Sequence, residues 1–251
     1  MTDKDETINR DELTTKGHSS HTNEQESSAV LEAKAGPGLL VDTLLKKPDL
    51  LVRQIVDGRS ARNIAVLVLA GACCHLAYGL IVGSFSGNSQ WLAAPLKIIF
   101  GTTLSALLCF PSLYIFASLS GASLTPGQAL GLMSSGLSLV GVLLLGFAPV
   151  AFVFTFSIQT SFFMGAIHLL IWGVGIIFGL RYILKSLAAM SCRDGYLIKL
   201  WGVILVVTML QMSTTLRPII GESDKLLTTE KRSFVVHWLE NGSDMEKEQV
   251  R

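Results

Sequence analysis

Apolar and polar residues follow one another along this chain in long blocks. Five of the apolar blocks are at least about 20 residues long, the length that carries an α-helix across a hydrocarbon core roughly 30 Å thick. The pattern therefore predicts an all-α, polytopic membrane protein whose five-helix transmembrane domain covers residues 61–220. The predicted spans are residues 63–83, 97–119, 129–156, 162–184 and 199–219.

Two of the spans have unusual features. The third is longer than a membrane requires, and Gly146 and Pro149 can bend it. The second is preceded by WLAAPLK, residues 91–97, which combines tryptophan with proline and lysine. We expect this segment to lie along the membrane interface with Trp91 as its anchor, because tryptophan prefers the headgroup region.

A charged segment with aliphatic clusters precedes the first span. Residues 38–60 mix these clusters with Lys46, Lys47 and Arg53, and Pro48 either interrupts the pattern or opens a second helix at its first turn. The segment is typical of two short amphipathic helices that lie on the cytoplasmic membrane surface. An ordinary polar linker is the alternative.

The two ends of the chain are polar. Residues 1–37 carry charges, serine and threonine without an apolar period, so they cannot bury enough surface to offset their chain entropy and are predicted to be disordered. Residues 221–251 are also polar, but Phe234 and Trp238 stand at helical spacing. We expect an outer-side tail with a short amphipathic segment whose aromatic side chains rest at the membrane interface.

Composition narrows the possible functions. Half of the residues are hydrophobic, 16% are charged, and the net charge of +1 offers no basic surface for nucleic acid. No acidic residue occurs between Asp57 and Asp194, so the spans lack the carboxylates of metal-dependent phosphotransfer and of proton relays. The adjacent Cys73 and Cys74 lack zinc-type spacing and are expected to act as small hydrophobes. We therefore expect no enzymatic activity and no cofactor.

Basic residues indicate the orientation. Lysine and arginine collect before the first span and around residues 185–198, whereas the loops after the first and third spans carry none. By the positive-inside rule, the N-terminus and the 185–198 loop are cytoplasmic, and an odd number of spans then places the C-terminus outside. If the source is bacterial, the membrane is the inner membrane.

Glycine and histidine recur at helical spacing in the first and fourth spans. Small residues every three or four positions form a smooth stripe that lets a neighbouring backbone approach. Each stripe contains one histidine, so both imidazoles are expected to face protein rather than lipid. The predicted helix-packing residues are Gly71, His75, Gly79 and Gly83 in the first span and Gly165, His168, Gly175 and Gly179 in the fourth.

Both histidines are candidate ligands as well as packing residues. His75 and His168 lie about 10 Å below the outer surface, counting 1.5 Å per residue from the outer ends of their spans. Thr102, Thr103 and Gln211 fall near the same depth. Ionisable groups inside a membrane are functional candidates by default, but two histidines without a carboxylate leave a first-row metal short of ligands. Hydrogen-bonded packing is therefore the favoured interpretation, and a metal site at the two histidines is the alternative.

The middle of the chain resembles uncharacterised multi-pass bacterial proteins whose core is similar to the Yip-domain family. The resemblance covers residues 97–152, where Gly146, Phe147 and Pro149 match that family's Gly-aromatic-x-Pro turn after a glycine-containing third span. Residues 209–224 resemble the end of the last span in the bacterial proteins. The resemblance implies five spans, a cytoplasmic N-terminus and a role in membrane trafficking or organisation, often with small-GTPase partners. The family's acidic-aromatic segment before the first span is missing here.

Three classes of function remain open. A non-enzymatic membrane scaffold or adaptor is favoured by the packing stripes and the amphipathic ends, with the lipid bilayer and other membrane proteins or further copies of the chain as partners. A small channel or carrier with a cavity near the outer leaflet is the second, because breaks at Pro111, Gly146 and Pro149 can line a cavity. A histidine-based metal or cofactor-binding membrane protein is the third.

Overall fold

The computed structural model of the protein describes residues 36–58, 61–86, 90–157, 161–190 and 195–215. Within these ranges the chain forms α-helices and no β-strand. Two helices are short and five are long. They are α1 (Pro37–Lys46), α2 (Pro48–Val56), α3 (Ala61–Ser86), α4 (Gln90–Leu119), α5 (Pro126–Ser157), α6 (Ser161–Ala189) and α7 (Gly195–Thr215).

The five long helices are each long and apolar enough to cross a membrane, over 61–84, 92–119, 126–157, 163–189 and 195–213. Only 28–33% of the residues in the most apolar part of each span are buried inside the protein, so most of their side chains face outward. An apolar surface of this extent is stable in lipid and not in water. The prediction of an all-α, multi-pass integral membrane protein is confirmed.

Residues 91–97 differ from the prediction. They were expected to lie along the interface, but they form the beginning of α4 and are continuous with the span. Pro95 is tolerated inside the helix, and it lies directly against Gly79 of α3, where a larger residue would collide with it. The Trp91 side chain is outside the described part of the chain, so its role as an anchor stays a prediction.

The turn implied by the Yip-domain resemblance is not formed. Gly146, Phe147 and Pro149 are helical, and α5 continues to Ser157. A proline inside a helix costs one backbone hydrogen bond. A backbone group that left the helix here would find no other partner in lipid, so continuing the helix is the less costly conformation.

Helices α3 and α5 form the centre of the bundle. They pack on each other more extensively than any other described pair, while α4 packs mainly on α3 and α7, and α6 packs mainly on α5. Helix α7 packs mainly on α4, where the Trp201 indole N–H donates to the carbonyl oxygen of Cys109 at 3.0 Å. Trp201 is fully buried by this contact.

A tight connection joins α4 to α5. Gly121 has a φ of 89°, and the Ala122 N–H donates to the Ala117 carbonyl at 3.0 Å, which ends α4 with a left-handed residue. Helix α5 then begins with a reciprocal cap, because Thr125 N–H donates to Gln128 Oε1 and Gln128 N–H donates to Thr125 Oγ1. Pro126 occupies the first helical position, where its missing N–H is not needed.

The two short helices expected before the first span are present, and each buries one aliphatic face against protein. Leu40, Leu44, Leu51 and Ile55 are at most 2% exposed. Helix α1 packs on α3 and α5, and α2 packs on α5 and α6. The ends of the long helices offer an apolar surface for these side chains. Leu39, Leu45 and Val56 are 38–48% exposed, so the expected contact of these helices with the membrane surface stays a prediction. We call residues 37–56 the α1–α2 platform.

Polar contacts fix the second platform helix in place. Gln128 Nε2 of α5 donates to the Val56 carbonyl at 2.6 Å, and Asn63 Nδ2 of α3 donates to Gln54 Oε1 at 3.2 Å. Gln54 and Asn63 are both buried, so their hydrogen bond has no competition from solvent. Helix α2 is therefore anchored to two transmembrane helices by side-chain hydrogen bonds.

Parts of the predicted domain organisation lie outside the described residues. These are nearly all of the polar tail at 1–37 and the whole outer-side tail at 221–251, including Phe234 and Trp238. The odd number of spans places the α1–α2 platform and the end of α7 at opposite ends of the described bundle. Which end is cytoplasmic stays a prediction.

Candidate functional site

One face of α3 forms a buried seam. Gly71, His75, Gly79 and Gly83 are all buried, as the four-residue spacing predicts. A carbon atom added at Gly71 would lie 2.7 Å from Cα of Ser138 on α5, and one added at Gly79 would collide with the backbone of Pro95 on α4. Glycine at these two positions therefore lets both neighbouring helices approach the α3 backbone.

Helix α5 supplies the other half of the crossing. A carbon added at Gly141 would lie 2.6 Å from Nδ1 of His75 and 2.7 Å from the carbonyl oxygen of Gly71. The hydroxyl of Ser138 donates to the Leu67 carbonyl on α3 at 2.8 Å. The imidazole of His75 thus fits against the one position on this turn of α5 that has no side chain, and a serine hydrogen bond fixes the two helices beside it.

His75 makes its hydrogen bond within its own helix. Nδ1 lies 2.8 Å from the Gly71 carbonyl oxygen, and since a carbonyl can only accept, Nδ1 carries the proton. Nε2 is then an acceptor. It is buried and has no hydrogen-bond partner among the described residues.

His168 makes its hydrogen bond with a residue that the sequence analysis missed. Tyr78, one turn after His75 on α3, places its hydroxyl 2.7 Å from Nδ1 of His168, and the two rings meet edge to face with centroids 5.6 Å apart. The pair is buried and connects α3 with α6. The spacing of Tyr78 from His75 was the available signal, but nothing in the sequence pairs it with a residue 90 positions away.

The structure does not join the two histidines into one site. His75 lies against Gly71 and Gly141, while His168 is bonded to Tyr78, and no hydrogen-bond partner is shared between them. Within the part of the chain that is described, no three side chains of the histidine, cysteine, aspartate or glutamate type come together as metal ligands. Both histidines contribute instead to contacts between helices.

The predicted seam on α6 is only partly used for packing. A carbon added at Gly179 would lie 2.5 Å from Cγ2 of Val140, and one added at Gly175 would lie 3.3 Å from Cγ1 of the same valine. Gly165 is different, because an added carbon there would meet no atom within 4 Å. The described helices thus leave the face of Gly165 open, and its expected packing role stays a prediction.

Several packing glycines were not foreseen. Gly136 approaches Ile183 of α6 on the side of α5 that is opposite to Ser138, since two residues turn a helix by about 200°. Gly202 approaches Leu180, and Gly131 approaches Ile64 and Ile55. The central position of α5 explains this use of opposite faces, and the sequence alone does not reveal which helix is central.

The two threonines expected at the depth of the histidines border a cleft between α3, α4 and α5. The cleft has a volume of about 170 Å³, and Thr102, Thr103 and His75 are among its lining residues. Ser134, in the platform half of α5, also lines it, so the cleft extends from the depth of His75 toward the platform end. Gln211 on α7 does not line this cleft and is exposed.

Comparisons with known protein families, with curated proteins and with solved structures found no match for this chain. The resemblance to the Yip-domain family therefore stays a prediction from the sequence. What the fold and the site define is a class: an integral, multi-pass helical membrane protein with buried histidines that take part in helix packing.

Proposed function

We propose that this membrane protein is a non-enzymatic scaffold or adaptor that organises a membrane complex or membrane trafficking. One observation carries the proposal: the α1–α2 platform is docked on one end of the transmembrane bundle by buried side chains and hydrogen bonds. Leu40, Leu44, Leu51 and Ile55 are buried against the long helices, and Gln128 holds the end of α2. A membrane domain with a fixed surface at its end is suited to positioning a partner.

The free side of the platform carries charges of both signs. Asp42, Lys46, Lys47, Arg53 and Asp57 are exposed. The ion pair between Lys46 and Asp42, at 2.7 Å, is more than half exposed on both sides and so adds little to stability. The charges of Asp42, Lys46 and Lys47 therefore do little for folding and can contribute to recognition, and a mixed charge pattern favours a protein partner over a purely anionic surface.

The platform is proposed to lie in the cytoplasm. Most of the described basic residues, among them Lys46, Lys47, Lys185 and Lys199, belong to this end of the bundle, whereas Lys97 lies near the other end, and this excess agrees with the positive-inside rule. Labelling of single cysteines introduced by Lys47→Cys and Ser84→Cys tests the orientation. We expect Lys47→Cys to react only from the cytoplasm and Ser84→Cys only from outside, whereas reaction of both from one side contradicts the five-span topology.

The experiment for the scaffold function is co-purification from the native membrane in a mild detergent. Charge reversal by the double change Lys46→Glu and Lys47→Glu is expected to reduce recovered partner about tenfold without changing thermal stability, because both side chains are exposed. Lys199→Glu, which reverses an exposed charge on α7, is the control and should leave recovery unchanged.

Two results would contradict the scaffold proposal. One is that no protein co-purifies specifically with the wild-type chain, or that platform and control variants recover it equally well. The other is solute flux into liposomes that contain only this protein, which would favour the channel or carrier. Metal analysis of the purified protein tests the histidine-based alternative, for which stoichiometric metal lost by His75→Ala would be required.

A further inference from the structure

The cleft between α3, α4 and α5 contains polar groups that the fold itself does not use. Most hydroxyls nearby are satisfied within their own helices: Thr102 and Ser105 donate to carbonyls one turn earlier, and Ser135 does the same on α5. The hydroxyls of Thr103 and Ser134 make no hydrogen bond within the described residues, and both residues line the cleft. An unpaired hydroxyl in an apolar medium is costly, so these two groups are poised for an outside partner.

A proline removes one backbone donor on the α4 side. Pro111 lies inside α4 and has no N–H, so the carbonyl of Leu107, four residues earlier, lacks its usual helical donor. Leu107 lines the cleft one turn after Thr103. Helix α4 therefore contributes two groups to this wall of the cleft. The Thr103 hydroxyl has no hydrogen bond within the described residues, and the Leu107 carbonyl lacks its usual helical donor.

His75 adds a deeper acceptor. It lines the cleft, is only 4% exposed, and its Nε2 has no partner among the described residues because the ring proton is on Nδ1. Donor and acceptor groups from three helices thus surround a single volume. A ligand that both donates and accepts a hydrogen bond satisfies more of them than an ether or a hydrocarbon can.

Size and charge restrict the ligand further. A volume of about 170 Å³ is close to the roughly 150 Å³ of an apolar cavity that holds benzene, so one ring or a short piece of chain fills it. None of the residues that line the cleft is an acid or a permanent cation, so a phosphate headgroup would be unpaired. Val68 and Leu107 at its edge are 45% and 62% exposed, which opens the cleft toward the surrounding lipid.

We propose that this cleft binds a neutral lipid alcohol, with the hydroxyl between Thr103, Ser134 and the Leu107 carbonyl and the apolar tail leaving past Val68 into the bilayer. The ligand O–H donates to the Leu107 carbonyl, and its oxygen accepts from a threonine or serine hydroxyl. The proposal is independent of the scaffold function, because it concerns a cleft inside the bundle and not the platform.

Photolabelling of the purified protein in phospholipid vesicles tests the site. The probe is a long-chain alcohol that carries a photoreactive group and an alkyne tag, compared with the hydrocarbon and the carboxylic acid of the same chain. Saturable labelling by the alcohol is expected on the segments of α3, α4 and α5 that line the cleft, with competition by the untagged alcohol. The acid and the hydrocarbon should each label these segments about tenfold less. The acid is charged, and the hydrocarbon cannot form the hydrogen bonds.

Variants assign the contacts. Thr103→Val with Ser134→Ala removes both hydroxyls and should lower alcohol labelling about tenfold, whereas Thr208→Val, which removes a hydroxyl on α7 outside the cleft, should leave it unchanged. Ala72→Leu fills the cleft and should abolish labelling. If the double variant or Ala72→Leu loses thermal stability, the labelling of the single variant Thr103→Val tests the site, because Thr103 is exposed and tolerates the change.

Three results would overturn the site: equal labelling by alcohol and hydrocarbon, labelling spread evenly over the membrane-facing helices, or unchanged labelling in stable variants without the two hydroxyls. Co-purification of the platform's partner is measured separately, so failure of the lipid site and failure of the scaffold proposal are distinguishable.

Discussion

Helix α3 meets α5 through residues with little or no side chain, whereas α1 and α2 meet the bundle through large aliphatic ones. At the crossing, Gly71, Ser138 and Gly141 bring the two backbones together and enclose the imidazole of His75. At the α1–α2 platform, Leu44 and Ile55 fill the contact. The two regions belong to one domain but use opposite kinds of residue.

The two regions use different residues because their side chains would be in different surroundings if the helices separated. A leucine in the membrane gains little by leaving lipid for protein, so close backbone approach and hydrogen bonds hold α3 on α5. A leucine of α1 or α2 that left its contacts would be exposed to water or to the membrane interface, and relative to water its burial stabilises by roughly 1.5–3 kcal/mol. The helix crossing should therefore be sensitive to added side-chain volume, and the α1–α2 platform to lost side-chain volume.

The largest effect is expected at the helix crossing. Gly141→Leu would place atoms where His75 Nδ1 and the Gly71 carbonyl already lie, so the helices must separate. We expect a loss of about 3 kcal/mol or more in the free energy of unfolding, measured by thermal unfolding in detergent. The same change at Gly165, where an added carbon meets nothing within 4 Å, is the control. Equal losses at both positions would show that the crossing is not close-packed in solution.

The α1–α2 platform should be destabilised when a buried side chain is made smaller. Ile55→Ala removes a side chain that is 2% exposed and should destabilise the docking of α2 by about 2 kcal/mol. Val56, the next residue, is 38% exposed, and Val56→Ala should change little. Limited proteolysis between α2 and α3 measures the docking. Cleavage that is equally fast in both variants would mean that α2 is not held by its buried face.

A smaller effect is expected from hydrogen bonds inside the bundle. Tyr78→Phe removes the hydroxyl bonded to Nδ1 of His168 and should cost about 1 kcal/mol, because a buried nitrogen is left without its partner. Tyr114→Phe, at a half-buried tyrosine on α4, serves as the matched control. Thermal unfolding of the two variants side by side checks the difference. If Tyr78→Phe is as stable as the wild type, the hydrogen bond between Tyr78 and His168 does not stabilise the contact of α3 with α6.

The smallest effect is expected at the cysteine pair beside His75. Cys73 is exposed and Cys74 is half-buried, and neither faces the glycine seam. Cys73→Ala should change the free energy of unfolding by less than about 0.5 kcal/mol. A larger loss, seen in the same unfolding assay, would mean that a further contact at this face has to be found, for example with a second copy of the chain.

Much of the architecture could be predicted because lipid imposes simple rules. The length of the apolar blocks identifies the five spans. The spacing of four residues between Gly71, His75 and Gly79 identifies the buried face of α3. Residues 91–97 were expected at the interface and instead begin α4, and Gly146 and Pro149, where the Yip-domain resemblance implied a turn, are helical for a related reason. Proline marks a lost hydrogen bond in a sequence, but in a membrane the chain stays helical wherever nothing else can bond the backbone.

What the sequence by itself determined is therefore the number of helices and which residues on a helix share a face, since both follow from periodicity and from the thickness of the bilayer. Only the tertiary structure decided which faces meet. It placed α5 in the centre, paired Tyr78 with His168, and gathered Thr103 and Ser134 around one cleft. The physical reason is that spacing along one helix carries no information about the rotation of its neighbour, which is chosen by close packing over the whole bundle.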